Sequence, residues 1–219
     1  MKTNEQLQKD VQDAIKWEPL LNAAEIGVTA KDGVITLTGV VDSYAKLLEV
    51  EDATKNVVGV KAVVEKIEIK FGTTFQKDDN EIAIAVINAF DWNWAVPKDR
   101  IKIKVENGWV TLEGEVRWHY QKEAAKKSVN NLLGVKGVKN IIKIKFETLD
   151  TIEKQDIERA ILRNWSLGDK NIVVKVADNK VTLIGNVHSL YQKEAAERIA
   201  WNSPGVLIVD NELIVEYLL

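Results

Sequence analysis

Apolar residues fall at two spacings along this chain, and the two spacings alternate in the same order three times. Leu7, Val11 and Ile15 stand at i, i+4 and i+8, the stripe of an amphipathic helix, with Thr3 and Gln6 at capping-box spacing before it. Glu18 and Pro19 end that stretch. Ile26, Val28 and Ala30 then alternate into Asp32-Gly33, a dipeptide that tolerates positive φ at both positions and marks a type I′ hairpin. Ile35, Leu37, Gly39 and Val41 return on one face of a second strand. Ser43 is placed to cap a second helix, Leu47 to Val58, and Gly59-Val60 leads into a third strand through Val63, Ile67 and Ile69. The predicted order is αββαβ.

The same order recurs with Ile82, Val86 and Phe90 on helix one, then Ile101, Ile103 and Val105, then Val110, Leu112, Gly114 and Val116. Ala124 to Leu133 form most of helix two, and Val138, Ile142 and Ile144 the third strand. A further copy runs through Ile157, Ile161 and Trp165, Val174 and Val176, Val181, Leu183, Gly185 and Val187, and closes on Leu213 and Val215. Gly33, Gly39 and Gly59 recur 75 residues on as Gly108, Gly114 and Gly134, and the last two recur 71 further on as Gly185 and Gly205. With Phe90 aligned to Trp165 at 75 and Ile103 to Val174 at 71, the four lost residues fall between the first helix and the first strand, as loop shortening. Three tandem α+β domains are therefore predicted, at 1–70, 78–145 and 151–219. Their linkers, 71–77 and 146–150, are short and carry Phe71, Phe75 and Phe146, which predicts neighbours that touch.

Each unit has about 65 to 70 residues, a size at which one core is marginal. Trp17, Trp92, Trp165 and Trp201 are expected to supply part of the missing burial, since one buried aromatic removes about 150–250 Å² from water. A small three-stranded mixed sheet can be covered on one face by two helices. Its other face is expected to be mostly solvated, because Thr36, Thr111, Glu113, Glu115 and Thr182 point there. The strand glycine Gly39, Gly114 or Gly185 reads as a place where a helix approaches the backbone closely.

Composition, 46% hydrophobic and 29% charged with three prolines, is that of a soluble globular chain. No apolar run is long enough to span a bilayer. Without cysteine there are no disulfides and no thiolate metal ligands. A net charge of −3 argues against nucleic acid as a general partner.

The stretch DGVITLTGVVDSYAKLLEVEDATKNVVGVKAVVEKIEI, with NGWVTLEGEV and VTLIGNV as its later versions, resembles the BON-domain family, named for the bacterial osmotically inducible protein Y and nodulation proteins. The resemblance covers nearly the whole chain. It implies the αββαβ fold and association with phospholipid membranes or with envelope and stress proteins, often under osmotic or envelope stress. It implies no enzyme and no cofactor. Many relatives are exported or lipid-anchored, whereas MKTNEQLQKDVQDAIKW has polar residues where a secretory signal needs an apolar core. The expected location is therefore cytoplasmic, with room for a peripheral position on the inner membrane.

Candidate chemistry is sparse. His119 and His188 are the only histidines and do not occupy equivalent positions, so they suggest no metal site. No nucleophile elbow, phosphate loop or HExxH motif occurs. Asp78, Asp79 and Glu81 suit a helix start, where acidic residues favour the dipole. Gly134-Val135-Lys136-Gly137 has the GxxG form of a KH loop, though only its first glycine belongs to the repeat, where it reads as a helix exit.

The middle copy departs most from the others. Trp118 stands where Ser43 and Ser189 would cap helix two, Trp109 lies opposite the core face of strand two, and Trp92 and Trp94 flank the end of helix one. Lys122, Lys126 and Lys136 make helix two and its exit basic. These indoles and lysines suit an anionic phospholipid surface or a membrane-associated partner, and the same indoles could instead pack between copies. Three functional readings follow: a non-catalytic lipid-associated stress protein, a protein scaffold or holdase-like stress protein, and an RNA-binding protein using the GxxG loop.

Overall fold

The computed structural model describes residues 2–22, 25–72, 77–145, 152–167 and 172–216. The expected linker at 146–150, with Phe146, and the linker residue Phe75 lie outside them. The first copy runs α1 (Asn4–Trp17), β1 (Ile26–Lys31), β2 (Val34–Val41), α2 (Tyr44–Asn56) and β3 (Ala62–Ile69). The second runs α3 (Asp79–Trp92), a 3₁₀ turn at Lys98–Arg100, β4 (Ile101–Glu106), β5 (Trp109–Val116), α4 (His119–Asn130), β6 (Gly137–Asn140) and β7 (Lys143–Ile144). The third runs α5 (Lys154–Arg163), β8 (Val173–Ala177), β9 (Lys180–Val187), α6 (Leu190–Trp201) and β10 (Ile208–Val215).

In every sheet the second strand of the copy is central. Its hairpin partner is antiparallel, with Ala30 opposite Ile35, Val105 opposite Val110 and Val176 opposite Val181. The last strand runs parallel to it in the second and third copies, so those sheets are mixed. Both turn residues have positive φ in the first two hairpins, at Asp32 and Gly33 and at Asn107 and Gly108, as a type I′ turn requires.

Alternation on the central strand then fills the core. Ile35, Leu37 and Val41, Val110, Leu112 and Val116, and Val181, Leu183 and Val187 are buried, and they meet the helix stripes Leu7, Val11 and Ile15, Ile82, Val86 and Phe90, and Ile157 and Ile161. The threonines and glutamates expected on the far face are exposed or half-exposed.

Three expectations are corrected. Trp17, Trp92 and Trp165 contribute no core; only Trp201 packs against one. Trp17 and Trp92 follow the last core residues Ile15 and Phe90 by two positions, a rotation of about 200° that turns them to the opposite side of the helix. The strand glycine meets its hairpin partner, not a helix. A Cβ on Gly114 would lie 2.0 Å from the Arg100 carbonyl oxygen, and one on Gly39 would lie 2.0 Å from that of Glu25.

The four-residue loss is not loop shortening after helix one. The amide of Asn93 donates to Phe90 O and that of Asn164 to Ile161 O, and each asparagine Oδ1 accepts the amide two residues on. Phe90 thus matches Ile161, and Trp94 matches Trp165, both at 71. The loss falls at the start of α5, which has 10 residues against 14 in α3.

Contacts divide the chain into two compact units, Met1–Gly39 with Glu49–Ile67 and Leu149–Leu219, and Val40–Leu48 with Glu68–Thr148. The first copy contributes to both. Within the first unit, the end of α2 meets the start of α6: the Gly59 amide donates to His188 O at 3.1 Å, and Lys55 Nζ lies 2.7 Å from Glu194 and 2.9 Å from Glu51. Within the second, Tyr44 packs against the core of the second copy.

Candidate interaction surface

The α3 segment, DNEIAIAVINAFDW, is apolar on more than one side. Ile82, Val86 and Phe90 face the core, while Ile84 and Ile87, on the far side, are 60% and 52% exposed. Ile84 precedes Val86 by two positions, about 200° around the helix, so it is directed away from the core. In the equivalent helices these two positions are polar, Lys9 and Gln12 in α1 and Gln155 and Glu158 in α5. An apolar residue at both of these positions therefore belongs to the middle copy alone, although α5 exposes Leu162 elsewhere on its surface.

Both ends of α3 are fixed. At the start, the Asp78 carboxylate accepts the Glu81 amide at 2.8 Å, and Glu81 accepts the Asp78 amide at 3.1 Å. Lys77 Nζ is 2.6 Å from the Glu81 carboxylate, and this bond, with the Asp78 amide, holds the Glu81 pKa below the usual range. Asp79 accepts the Asn107 and Gly108 amides at 2.8 Å each, which ties the helix to the hairpin turn. At the other end Asn93 Oδ1 accepts the Ala95 amide at 3.1 Å and Asn93 Nδ2 donates to Ser128 Oγ at 2.9 Å. The chain reverses there with one indole on each side of Asn93, and Trp92 and Trp94 are each 91% exposed. Asp91 pairs with Lys98, whose pKa is raised by that bond. Ile84 also borders a groove of about 470 Å³ whose other wall is Leu132 and Leu133 at the end of α4.

The candidates proposed from sequence do not form one patch. Trp109 opens β5 and Trp118 follows its end, nine positions of extended chain and about 30 Å apart. The Trp109 ring lies over Gly137, where an added Cβ would come within 2.4 Å of it. Trp118 is half-buried at the N-cap of α4. Its indole offers no acceptor oxygen, and Gln121 Oε1 instead accepts the Arg117 and Trp118 amides, both at 3.1 Å. Lys122 and Lys126 are half-buried along α4, and the Lys122 carbonyl accepts from Asn140 Nδ2. Lys136 lies instead at the Trp109 end. There, with Lys70, Lys77, Asp78 and Asp79, it lines a cavity of about 650 Å³ beside the start of α3.

Trp92 and Trp94 lie at the end of α3 and Lys136 lies at the Trp109 end, while Ile84, Ile87 and Leu133 are exposed apolar residues that the sequence reading does not single out. For Ile84 and Ile87 the signal is legible in the sequence, as the polar residues at matching positions of the other copies; for Leu133 it is not, since Val58 and Pro204 stand there. Gly134 has φ +87 on the path from α4 to β6, and Lys136 donates its amide to Gly108 O, so the GxxG residues serve the junction of helix and sheet. Among the described residues no group of histidine and carboxylate side chains is placed to hold a metal.

Three successive matches to the BON domain cover residues 3–70, 78–145 and 150–217. The chain belongs to the BON-domain family. It is similar to the osmotically inducible protein Y of Escherichia coli K12, 30% identical over 129 residues, a span of 57% of this chain and 64% of that protein. The match thus covers slightly less than two thirds of that relative. Two solved structures of CdsD, a structural protein of the type III secretion system of Chlamydia trachomatis, align over 99% and 96% of this chain and 100% and 92% of theirs. Both are 15% identical with a TM-score of 0.26. No described helix is long and apolar enough to cross a membrane.

Proposed function

We propose that this BON protein is a non-catalytic, stress-related binding protein that associates with the surface of a phospholipid membrane, and that α3 of the middle copy makes the contact. The observation that carries the reading is the outer face of α3, where Ile84 and Ile87 are open to solvent in a helix whose counterparts are polar there. A helix apolar on its outward side, with indoles at its end, suits the boundary between headgroups and acyl chains. Full burial of one isoleucine stabilises by about 1.5–3 kcal/mol, so two isoleucines and two indoles suffice for reversible attachment.

Lys122, Lys126 and Lys136 are not among the residues of this face, and the charges along it form the pairs Lys77 with Glu81 and Lys98 with Asp91. Attachment therefore depends on apolar burial more than on lipid charge, and salt weakens it little. The test is co-sedimentation with phosphatidylcholine vesicles, with and without phosphatidylglycerol, at low and moderate salt. Binding that falls at least tenfold when Ile84 and Ile87 are made polar supports the proposal. No sedimentation with either vesicle, or binding unchanged by those substitutions, would falsify it.

A further inference from the structure

Where α2 of the first copy meets α5 and α6 of the third, inside the first compact unit, lies a cleft of about 600 Å³ that the membrane reading does not use. It is lined by Asn56, Val58, Trp165, Ser166, Ser189, Tyr191 and Gln192, and none of these side chains is charged. Trp165 is 90% exposed, held beside the reversal after α5 where the Asn164 side chain accepts from both the amide and the hydroxyl of Ser166.

The polar groups of the cleft divide into those already used and those left open. Gln192 is committed, its Oε1 accepting the His188 amide at 2.7 Å and its Nε2 donating to Ser166 O at 2.8 Å. Ser189 Oγ accepts the Gln192 amide at 3.3 Å and keeps its own proton to donate. Asn56 and Tyr191 line the cleft, and the Asn56 amide and the Tyr191 hydroxyl have no hydrogen-bond partner among the described residues, so both are open to a ligand.

We infer that this cleft binds a neutral saccharide. A charged ligand would have to leave water against walls that carry no opposite charge, which is costly. A purely apolar ligand would leave the amide and hydroxyl groups unmatched. A sugar ring meets both conditions: its C–H face lies on the indole of Trp165, and its hydroxyls exchange hydrogen bonds with Asn56, Ser189 and Tyr191. The volume is in the range of small-ligand sites of about 300–1,000 Å³, enough for one or two rings. The first copy has Pro19 and Ala45 in the places of Trp165 and Tyr191, whereas the middle copy keeps both aromatics as Trp94 and Tyr120.

The inference is tested on the full chain by following the indole N–H resonance of Trp165, assigned with Trp165→Phe, in titrations with trehalose, maltose and chitobiose, and separately with choline chloride. The expected result is a saturable shift with at least one saccharide at a Kd of about 1–10 mM, weakened about tenfold in Asn56→Ala. Asn56 is exposed and unbonded, so that variant keeps the fold, and an unchanged melting temperature checks this. No saturable shift with any of the three sugars at 100 mM, roughly ten times the weakest affinity expected, overturns the inference. A shift with choline alone overturns it as well, by making the aromatic pair a cation site. Ile84 and Ile87 variants leave the titration unchanged, which separates this cleft from the membrane-binding face.

Discussion

Gly114 has φ +146 and a Cβ there would stand 2.0 Å from the Arg100 carbonyl oxygen, so both the backbone angle and the space exclude a side chain. Replacing it with alanine is expected to destabilise the fold by about 3 kcal/mol or more, read as a lower urea midpoint. Glu65 is the opposite kind of residue, one the copy tolerates at a cost. Its equivalents Asn140 and Asn211 donate to the carbonyls of Lys122 and Lys193 at 2.9 Å and accept the amides of Ile142 and Leu213. Glu65 is exposed, but neighbouring protein atoms partly desolvate it, and this, and then the charge of Glu51, raises its pKa above the usual carboxylate value. A folded-state pKa that is raised in an acid penalises the fold above that pKa, and the penalty disappears as pH falls below the unfolded value of about 4.3. Glu65→Asn is therefore expected to raise the melting temperature at pH 7 and to lose that advantage towards pH 4.

At the scale of the element, periodicity carried the reading well. The helix stripes of the first two copies, the Thr3 capping box and the alternation of the central strands all depend on one segment's own spacing, and each is found where that spacing puts it; the third stripe holds through Ile157 and Ile161 but not Trp165, which lies past the end of α5. The errors came where residue type was weighed over position. The size and aromaticity of Trp17 and Trp92 point to the core, but their positions, two past Ile15 and Phe90, point to solvent. The outer face of α3 is hard to read from its own sequence, because a second apolar stripe is hidden by the first in a helix this hydrophobic. Lys9 and Gln12 show what that face needs for folding alone. Ile84→Lys with Ile87→Gln should therefore leave the urea midpoint of the protein within about 0.5 kcal/mol of wild type while abolishing vesicle binding. Loss of stability by several kcal/mol would mean that the face is covered within the fold, and the membrane proposal would lose its basis.

At the scale of the molecule, the three-fold repeat was legible because strand glycines recur in register, but the junction between the first and third copies was not. A contact between residues 59 and 188 leaves no periodic trace in either segment, since each of its residues also satisfies the pattern of its own copy. Lys55 marks the junction chemically, lying between Glu51 and Glu194 with its side chain largely shielded from water. Burial pulls its pKa down, yet the bonds to Glu194 and Glu51 outweigh that and leave it above the ordinary lysine value. A folded-state pKa raised in a base contributes stability that is fully present below the unfolded value of about 10.4 and is lost as pH rises through the folded one. The pair is half open to solvent on the Glu194 side, which limits its worth to about 0.5–1 kcal/mol. A double-mutant cycle of Lys55→Ala and Glu194→Ala should thus show a coupling of that size, unchanged between pH 7 and 9 and lost as pH rises through the raised pKa of Lys55. Coupling that is absent at pH 7 would leave the Gly59 amide and its His188 carbonyl as the polar link of that junction.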